Sequence, residues 1–324
     1  MKKIYLLLFS AILFIGILAG CGNSEDNADK SKDKTDNTKT EQTDEASFPV
    51  TVTDGNGDNV TIEEEPERIV SVIPSDTEIA YALGLGDQIV GVSDHDDYPK
   101  EAAEKEKVGG MELNVEKILS LDPQLVLADQ SNDEKALKQI NEAGIPVVVV
   151  ASGTNFDEVY DAISLIGQAT GAQDKAKQIV GDMKEKLTAL EDKAKAIGQD
   201  EQKKVYVEIS PSPDIYTPGK NTFMDELLSI IHAENATGDQ DGWVKINEEQ
   251  AITSNPDVII TTYGSYVEDP VAEVAKRSGW EDVKAVKNKQ IFDINEDLVS
   301  RPGPRLVNGV EELGKVIYPE VFDD

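Results

Sequence analysis

The sequence predicts an α/β protein whose two halves are joined by one long helix. Three observations support this prediction. Short β-branched apolar runs alternate with amphipathic stretches along most of the chain, which is typical of parallel sheets covered by helices. One amphipathic stretch near the middle of the folded part is much longer than the others. A short sequence pattern occurs once on each side of that stretch.

The composition excludes several classes of protein. The 324 residues allow about two domains, 39% hydrophobic residues allow a core, and 31 Lys+Arg against 63 Asp+Glu give a net charge of −32. Because phosphate groups bind basic surfaces, we expect no nucleic-acid partner. One Cys excludes an intramolecular disulfide. Two His leave no His-rich metal site, so we expect no metal site and no zinc or manganese cargo.

The first residues have the layout of an exported protein. Two lysines, an apolar run over residues 4–18 and small residues before Cys21 form a secretory signal over residues 1–20. A single-span anchor is the alternative, although the run is short for a bilayer. Leu18-Ala19-Gly20-Cys21 resembles the lipobox of bacterial lipoproteins, which implies cleavage before Cys21 and lipid attachment to its sulfur. We therefore expect a lipid anchor on the extracytoplasmic face of the cell membrane.

Residues 21–47 predict a disordered acidic tether. From residue 22 to residue 47 there is no Leu, Ile, Val or aromatic residue. Such a segment cannot bury enough apolar surface to fold. A folded domain on a flexible tether outside the membrane suggests capture of something outside the cell.

Strand and helix patterns recur through the folded part. Short apolar, β-branched runs predict strands at 68–73, 88–92, 125–128, 146–150, 204–209, 257–261 and 290–294. Helical patterns lie between many of them, at 77–83, 114–120, 135–143 and 223–232. Ser75-Asp76-Thr77-Glu78 predicts a capping box at the start of the first of these helices.

Residues 174–197 predict a single long amphipathic helix. Its apolar positions recur every three or four residues, at Ala176, Ile179, Val180, Met183, Leu187, Leu190, Ala194 and Ile197. Gly198 is expected to end it. A long helix between two α/β halves is a stiff connector, so we expect limited hinge motion.

An internal repeat relates the two halves. The pattern is Asn, then Glu two residues later, then Pro seven residues after the Glu, then an apolar strand. It occurs as Asn114, Glu116 and Pro123 in the first half and as Asn247, Glu249 and Pro256 in the second. Each copy predicts a helix, a Pro turn and a buried strand, which indicates two related lobes.

Motifs for catalysis are missing. Gly84-Leu85-Gly86 begins like a dinucleotide-binding fingerprint, but Ile89 occupies the position of the third glycine. The sequence contains no Walker-type loop, no Gly-x-Ser-x-Gly and no His-Glu-x-x-His. With a lipidated Cys and two distant His, nucleophiles and general bases are scarce. We expect no catalytic residue, no cofactor and no enzymatic activity.

Several segments together resemble the helical-backbone substrate-binding proteins of ABC importers, which serve cobalamin and ferric siderophores. They are residues 68–84 and 90–93, Asp97-Tyr98-Pro99, residues 114–123, Trp243 with Glu249, Asn255-Pro256-Asp257, and Arg301-Pro302-Gly303-Pro304-Arg305. The resemblance covers residues 60–322, nearly the whole folded part, and the sequence is most similar to the cobalamin-binding subgroup.

The resemblance implies an α/β fold of two Rossmann-like lobes joined by one long rigid α-helix, with a ligand cleft between the lobes. We place the N-terminal lobe at 48–172, the connecting helix at 173–199 and the C-terminal lobe at 200–324. The resemblance also implies that the protein is a monomer. Its implied partner is an ABC permease with a cytoplasmic ATPase. Glu116 and Glu249, one on each lobe, are implied to dock on permease arginines, which would orient the complex. Alternatively, both are solvated carboxylates near a helix N-terminus.

The same resemblance implies contacts with a ligand in the cleft. Relatives carry pocket aromatics at the positions of Tyr216 and Trp243, and aromatic faces suit a flat macrocycle. Either residue could instead be a packing aromatic. Arg301 matches a pocket position, where a guanidinium suits oxygen ligands. His95 replaces an aromatic of those relatives, so it either contacts ligand or remains exposed. Met111 could fill the space of another missing aromatic.

Four functions remain open. The first is a lipoprotein receptor that delivers cobalamin to a permease. The second is a receptor for a ferric siderophore or haem, which is disfavoured because this acidic chain offers few cations to an anion. The others are a cell-surface α/β enzyme and an adhesion or scaffold protein. Arg305, at the start of the last helix, is expected to pair with the lobe surface, and Trp280 to pack in the fold.

Overall fold

The computed structural model describes residues 47–323, which belong to one compact unit. The expected signal at 1–20, the lipidation site Cys21 and all but the last residue of the expected tether lie outside the described residues. None of the helices within the described part has both the length and the apolar character that crossing a bilayer requires.

A five-stranded parallel sheet, ordered β5-β4-β3-β6-β7, forms the centre of the first half. Its strands are β3 (Ile69–Ser71), β4 (Ile89–Val92), β5 (Glu106–Lys107), β6 (Leu125–Asp129) and β7 (Val147–Val150), preceded by a hairpin of β1 (Val50–Thr53) and β2 (Asn59–Ile62). The helices are α1 (Pro74–Ala82), α2 (Lys100–Ala103), α3 (Val115–Ser120), α4 (Glu134–Glu142) and α5 (Phe156–Thr170). Every residue of β3, β6 and β7 is buried, which explains why these strands are apolar apart from the terminal Ser71 of β3 and Asp129 of β6.

The second half contains a four-stranded parallel sheet, ordered β10-β8-β12-β13, and a separate antiparallel ribbon of β9 and β11. The strands are β8 (Lys204–Glu208), β9 (Tyr216–Pro218), β10 (Glu234–Asn235), β11 (Trp243–Lys245), β12 (Val258–Thr261) and β13 (Ile291–Asp293). The helices are α7 (Phe223–Ile230), α8 (Glu248–Ser254), α9 (Pro270–Ala275), α10 (Lys284–Lys287), α11 (Glu296–Ser300), α12 (Leu306–Ile317) and α13 (Pro319–Phe322).

The long helix α6 (Gln173–Ala194) connects the two halves. Its buried positions Ala176, Met183, Leu190 and Ala194 fall on one stripe, as the period of the sequence predicts. These side chains belong to a single hydrophobic cluster that also contains buried residues of both sheets. The helix ends before Gly198, which precedes a short 3-10 turn at Gln199–Glu201. The two halves therefore share one core through the connecting helix.

The structure confirms most elements that the sequence predicts. All seven predicted strands are present, each within two residues of its predicted ends, and Trp280 is fully buried, as expected for a packing residue. The predicted capping box at Ser75–Glu78 is wrong. Helix α1 begins at Pro74, whose fixed φ suits the first helical position, so Ser75 lies inside the helix and makes no cap hydrogen bond. The lobe boundaries 48–172, 173–199 and 200–324 stay predictions.

Backbone geometry supports the internal repeat. The side chains of Asn114 and Asn247 accept hydrogen bonds from backbone N–H groups three residues later and so cap α3 and α8. Asp122 and Asn255, which directly precede the two prolines, both have left-handed φ, 49° and 46°. Each pattern then enters an interior strand of its sheet, β6 or β12. The two halves thus repeat one cap, helix, turn and strand unit.

Candidate functional site

A cavity of about 530 Å³ lies where loops after parallel strands of both halves meet. Asp129 ends β6, His95 follows β4 and Glu296 follows β13. The carboxyl ends of parallel strands are where open α/β sheets bind ligands. The lining residues are Ile73, Pro74, Ser75, His95, Asp129, Ser152, Glu296, Asp297, Ser300, Arg301 and Pro302. Of the residues predicted from sequence, His95 and Arg301 are brought together here.

Carboxylates from both halves balance the charge of Arg301. One guanidinium nitrogen lies 3.0 Å from Asp97 of the first half, and the other lies 2.7 Å from Asp297, one turn earlier on α11. The Arg301 side chain is only 14% exposed. An anionic ligand that bound this guanidinium would compete with two carboxylates already paired to it.

Arg305 links the two halves beside the cavity. Its guanidinium lies 2.7 Å from the Glu78 carboxylate and 3.5 Å over the ring of Tyr98, both in the first half. Glu78 is buried, and a Cβ at Gly303 would lie 3.1 Å from its carboxylate, so the glycine leaves it room. The partner of Arg305 is therefore a buried carboxylate of the other half and not the lobe surface that the sequence predicts.

Further carboxylates line or underlie the cavity. Asp129 accepts hydrogen bonds from the Ser152 hydroxyl at 2.7 Å and from the Ser131 backbone at 2.7 Å. Burial raises the pKa of Asp76, and the nearby Asp129 charge raises it further. On the opposite wall, burial and then the charge of Asp297 raise the pKa of Glu296. The cavity environment thus has an excess of acidic groups.

His95 packs against the segment that contains Met111. A Cβ at Gly110 would lie 2.9 Å from Nε2 of His95, so the absence of a side chain at Gly110 lets the imidazole approach this backbone. Met111 follows directly and is 83% exposed. The structure thus places Met111 near His95 but not in the lining of the cavity.

Tyr216 and Trp243 share one face of the β9–β11 ribbon. The register pairs Trp243 with Pro218 and Tyr216 with Lys245, so the two aromatics are diagonal neighbours. They are 40% and 49% exposed and lie outside the lining of the cavity. Trp243 begins strand β11, because the distant strand β9 supplies its hydrogen-bond partners.

Comparison with known proteins identifies the family. Residues 69–298 match the model of the family described as "Periplasmic binding protein". The chain belongs to this family. It is 48% identical to the uncharacterized ABC transporter substrate-binding lipoprotein YvrC of Bacillus subtilis (strain 168), over 98% of both chains. It is 32% identical to a vitamin B12-binding protein of Vibrio parahaemolyticus, over 79% of this chain and 91% of that protein.

A solved structure of this periplasmic binding protein family has the same fold. It is a possible iron-binding (periplasmic solute-binding) protein from Staphylococcus epidermidis, with a TM-score of 0.70 and 38% identity over 79% of this chain and all of that chain. The fold is thus the class III fold of two α/β lobes and a connecting helix. The protein is an ABC transporter substrate-binding protein, and its relatives include a vitamin B12-binding protein. Such proteins bind substrates and work with permease and ATPase subunits.

In this family member the two repeated glutamates occupy equivalent places. Glu116 lies in the first turn of α3 and Glu249 in the first turn of α8, and both are exposed. Each follows an Asn cap by two residues. Neither carboxylate has a hydrogen bond or ion pair among the contacts found between residues 47 and 323. The structure therefore leaves both carboxylates accessible to a partner.

Two exposed tyrosines of this periplasmic binding protein were not among the ligand contacts predicted from the sequence. Tyr98, 41% exposed, lies beneath the guanidinium of Arg305 and does not line the cavity. Tyr266, 63% exposed, is close enough to Glu296 for that charge to raise its pKa, after the larger effect of burial. Tyr266 follows the carboxyl end of β12 by five residues. That position is the signal by which it could have been found.

Proposed function

We propose that this periplasmic binding protein captures a corrinoid of the cobalamin type outside the cell and delivers it to an ABC permease. The observation on which this rests is the charge of the cleft. Arg301 is paired with two carboxylates, while Asp129 and Glu296 line the same cavity. The amide groups on a corrinoid rim can donate hydrogen bonds to such carboxylates, whereas an anion would be repelled.

Exposed aromatic side chains support the same ligand class. Tyr216 and Trp243 offer neighbouring ring faces, and Tyr266 is a further exposed ring on the same half. Flat macrocycles bind favourably to such faces. The similarity to a vitamin B12-binding protein over most of its length agrees with this assignment.

A ferric siderophore or haem is the second candidate cargo. The similarity to a possible iron-binding protein favours it. Its anionic groups would have to bind Arg301 in place of Asp97, whose side chain is 65% exposed. A cell-surface enzyme is a remote alternative, which would return the bound molecule chemically changed.

Tryptophan fluorescence tests the cargo. Trp243 is half-exposed and Trp280 is fully buried, so a ligand in the cleft should quench Trp243. We expect tight quenching by cyanocobalamin. Trp243→Ala should lose the signal and about tenfold in affinity measured by calorimetry, which corresponds to one aromatic contact. Trp243→Phe is the control that keeps a ring. Binding of haem or ferric siderophores without binding of cyanocobalamin would move the function to iron uptake.

We further propose that lipid on Cys21 anchors the protein and that Glu116 and Glu249 bind arginines of the permease. On this proposal the protein performs no catalysis and needs no cofactor. Reversing both charges, as Glu116→Lys with Glu249→Lys, should abolish uptake and leave cobalamin affinity unchanged. Glu134→Lys, in the first turn of α4, is the matched control. A loss of cobalamin affinity in the double variant would contradict the docking role.

A further inference from the structure

One wall of the cavity belongs to a loop at residues 93–98, which follows β4 and is called the 93–98 loop below. His95 of this loop lines the cavity. Asp97 pairs with a guanidinium of the second half, and the ring of Tyr98 lies under another. All three residues are exposed. Because ordering a mobile loop costs binding free energy, the affinity for a ligand depends on how firmly this loop is held beforehand.

Lys107, on the edge strand β5, holds the base of the 93–98 loop. Its ammonium group donates hydrogen bonds to the carbonyl oxygens of Ser93, at 3.1 Å, and of Asp96, at 2.8 Å. These two residues stand on either side of His95 in the sequence, so one charged group joins both ends of the segment that contains it. Hydrogen bonds from a charged donor are stronger than those between neutral groups. Lys107 itself does not line the cavity.

The other hydrogen bonds of the 93–98 loop mainly set its internal shape. The Ser93 hydroxyl donates to the Asp96 carboxylate, and the Asp96 N–H donates to the Ser93 carbonyl oxygen at 3.3 Å. On the side of β5, the loop is attached by the Asp94 N–H, which donates to the Gly109 carbonyl oxygen at 2.9 Å, and by the two hydrogen bonds of Lys107. The ammonium group is thus a large part of the attachment on that side.

We propose that Lys107 is a positioning residue for the cargo site, which acts without touching the ligand. Its ammonium group holds the 93–98 loop so that His95 lines the cavity and Asp97 reaches the second half. This inference rests on the proposed function, because the effect that it predicts is on cargo affinity. A lysine on an edge strand ordinarily keeps its charge in water, where it discourages pairing with another chain. Here the charged group is instead bonded to two carbonyl oxygens of the loop.

Lys105 provides a matched control for a calorimetric test. Its ammonium group donates a hydrogen bond to the Gly86 carbonyl oxygen at 2.7 Å, and neither residue lines the cavity. Replacing either lysine by methionine removes one charge and leaves an apolar side chain. We expect Lys107→Met to weaken cyanocobalamin binding about tenfold, because the loop must then be ordered when the ligand binds. Lys105→Met should stay within about twofold of the natural protein.

A second measurement follows the 93–98 loop without ligand. The chain contains two histidines, His95 and His232, so proton NMR of the imidazole Cε1–H groups gives two signals. His232→Asn assigns them, because Asn tolerates the left-handed φ of 55° at this position. Lys107→Met should shift or broaden the His95 signal, whereas Lys105→Met should leave it unchanged. A lysine that only stabilised the edge of the sheet would move neither this signal nor the cargo affinity.

The outcomes separate this inference from the proposed function. Normal cyanocobalamin affinity in Lys107→Met would overturn the positioning role, and so would an equal loss in both lysine variants. Weaker binding with an unchanged His95 signal would show that Lys107 contacts the ligand directly, which also overturns it. If the natural protein bound no cyanocobalamin, the proposed function would fail, and the His95 signal would still decide whether Lys107 holds the loop. Should Lys107→Met not fold in a urea titration, Lys107→Gln takes its place in both measurements.

Discussion

At the scale of single residues, Glu78 and Arg305 pair between the two halves with side-chain exposures of 3% and 17%. Removing one member of such a pair leaves the other buried and unpaired. Glu78→Gln leaves Arg305 with the Tyr98 ring and with a longer ion pair to Asp297, at 3.6 Å. We expect the free energy of unfolding in urea to fall by on the order of 3 kcal/mol.

The control for this prediction is an exposed pair. Lys138 and Glu142 on α4 lie 3.9 Å apart with exposures of 72% and 67%, so Glu142→Gln should change stability by less than about 0.5 kcal/mol. If Glu78→Gln proved as stable as the natural protein, the pair would make no net contribution to folding.

Asp76 predicts a pH dependence of stability. Burial, and then the charge of Asp129, raise its pKa well above the ordinary value of 3.8, and one carboxylate oxygen has no hydrogen-bond partner. Folding therefore favours the protonated acid. This contribution is complete below the ordinary pKa and is lost as the pH rises through the raised one.

Asp76→Asn should remove this loss of stability at higher pH. Its unfolding free energy should decline less than that of the natural protein between acid and neutral pH, in urea titrations at a series of pH values. The exposed Asp58→Asn is the control and should keep the natural slope. Equal slopes for Asp76→Asn and the natural protein would show that folding does not raise the pKa of Asp76.

At the scale of elements, the cap of α8 positions a proposed docking carboxylate. Asn247→Ala removes the side-chain acceptor of the Gln250 N–H and should cost about 1 kcal/mol of helix stability. Because the first turn then frays, stimulation of the importer ATPase should fall. Asn247→Asp restores an acceptor and should restore stimulation. Failure of this rescue would show that Asn247 acts by direct contact with the permease and not through the cap.

The elements also show what sequence alone can predict. Buried parallel strands such as β6 and β7 were predictable, because helices cover both faces and the sequence is apolar up to the terminal Asp129 of β6. Strand β11 was not, since its three residues depend on pairing with β9. Glu78 was assigned to a local capping box, whereas its partner Arg305 is 227 residues away. Short-range patterns specify elements but carry no information about such distant pairs.

The residues of the candidate site were likewise predicted only in part. Arg301, which the resemblance matched to a pocket position, lines the cavity directly after α11. His95, for which the resemblance left a ligand contact and an exposed position open, lines it after β4. Tyr266 was missed. It comes near Glu296 only when segments distant in sequence fold together, and it has no motif of its own.

At the scale of the whole molecule, the two halves are joined by a shared hydrophobic core as well as by the connecting helix α6. A single hydrophobic cluster contains Leu127 of the first sheet, Met183 of α6 and Val207 of the second sheet. Opening the cleft widely would expose part of this core, at about 25 cal/mol for each Å² of apolar surface. The pairs of Arg301 with Asp97 and of Arg305 with Glu78 oppose opening at the cleft itself.

Small-angle scattering tests this limited motion. Because the core and the ion pairs both resist opening, we expect the radius of gyration to be the same within error with and without saturating cyanocobalamin. The double variant Glu78→Gln with Asp97→Asn removes both ionic links but leaves α6 and its core intact. It should be more expanded without ligand and should contract when ligand binds. A clear contraction of the natural protein would show that the shared core does not restrain the lobes. An unchanged radius in the double variant would assign the restraint to the core and α6 alone.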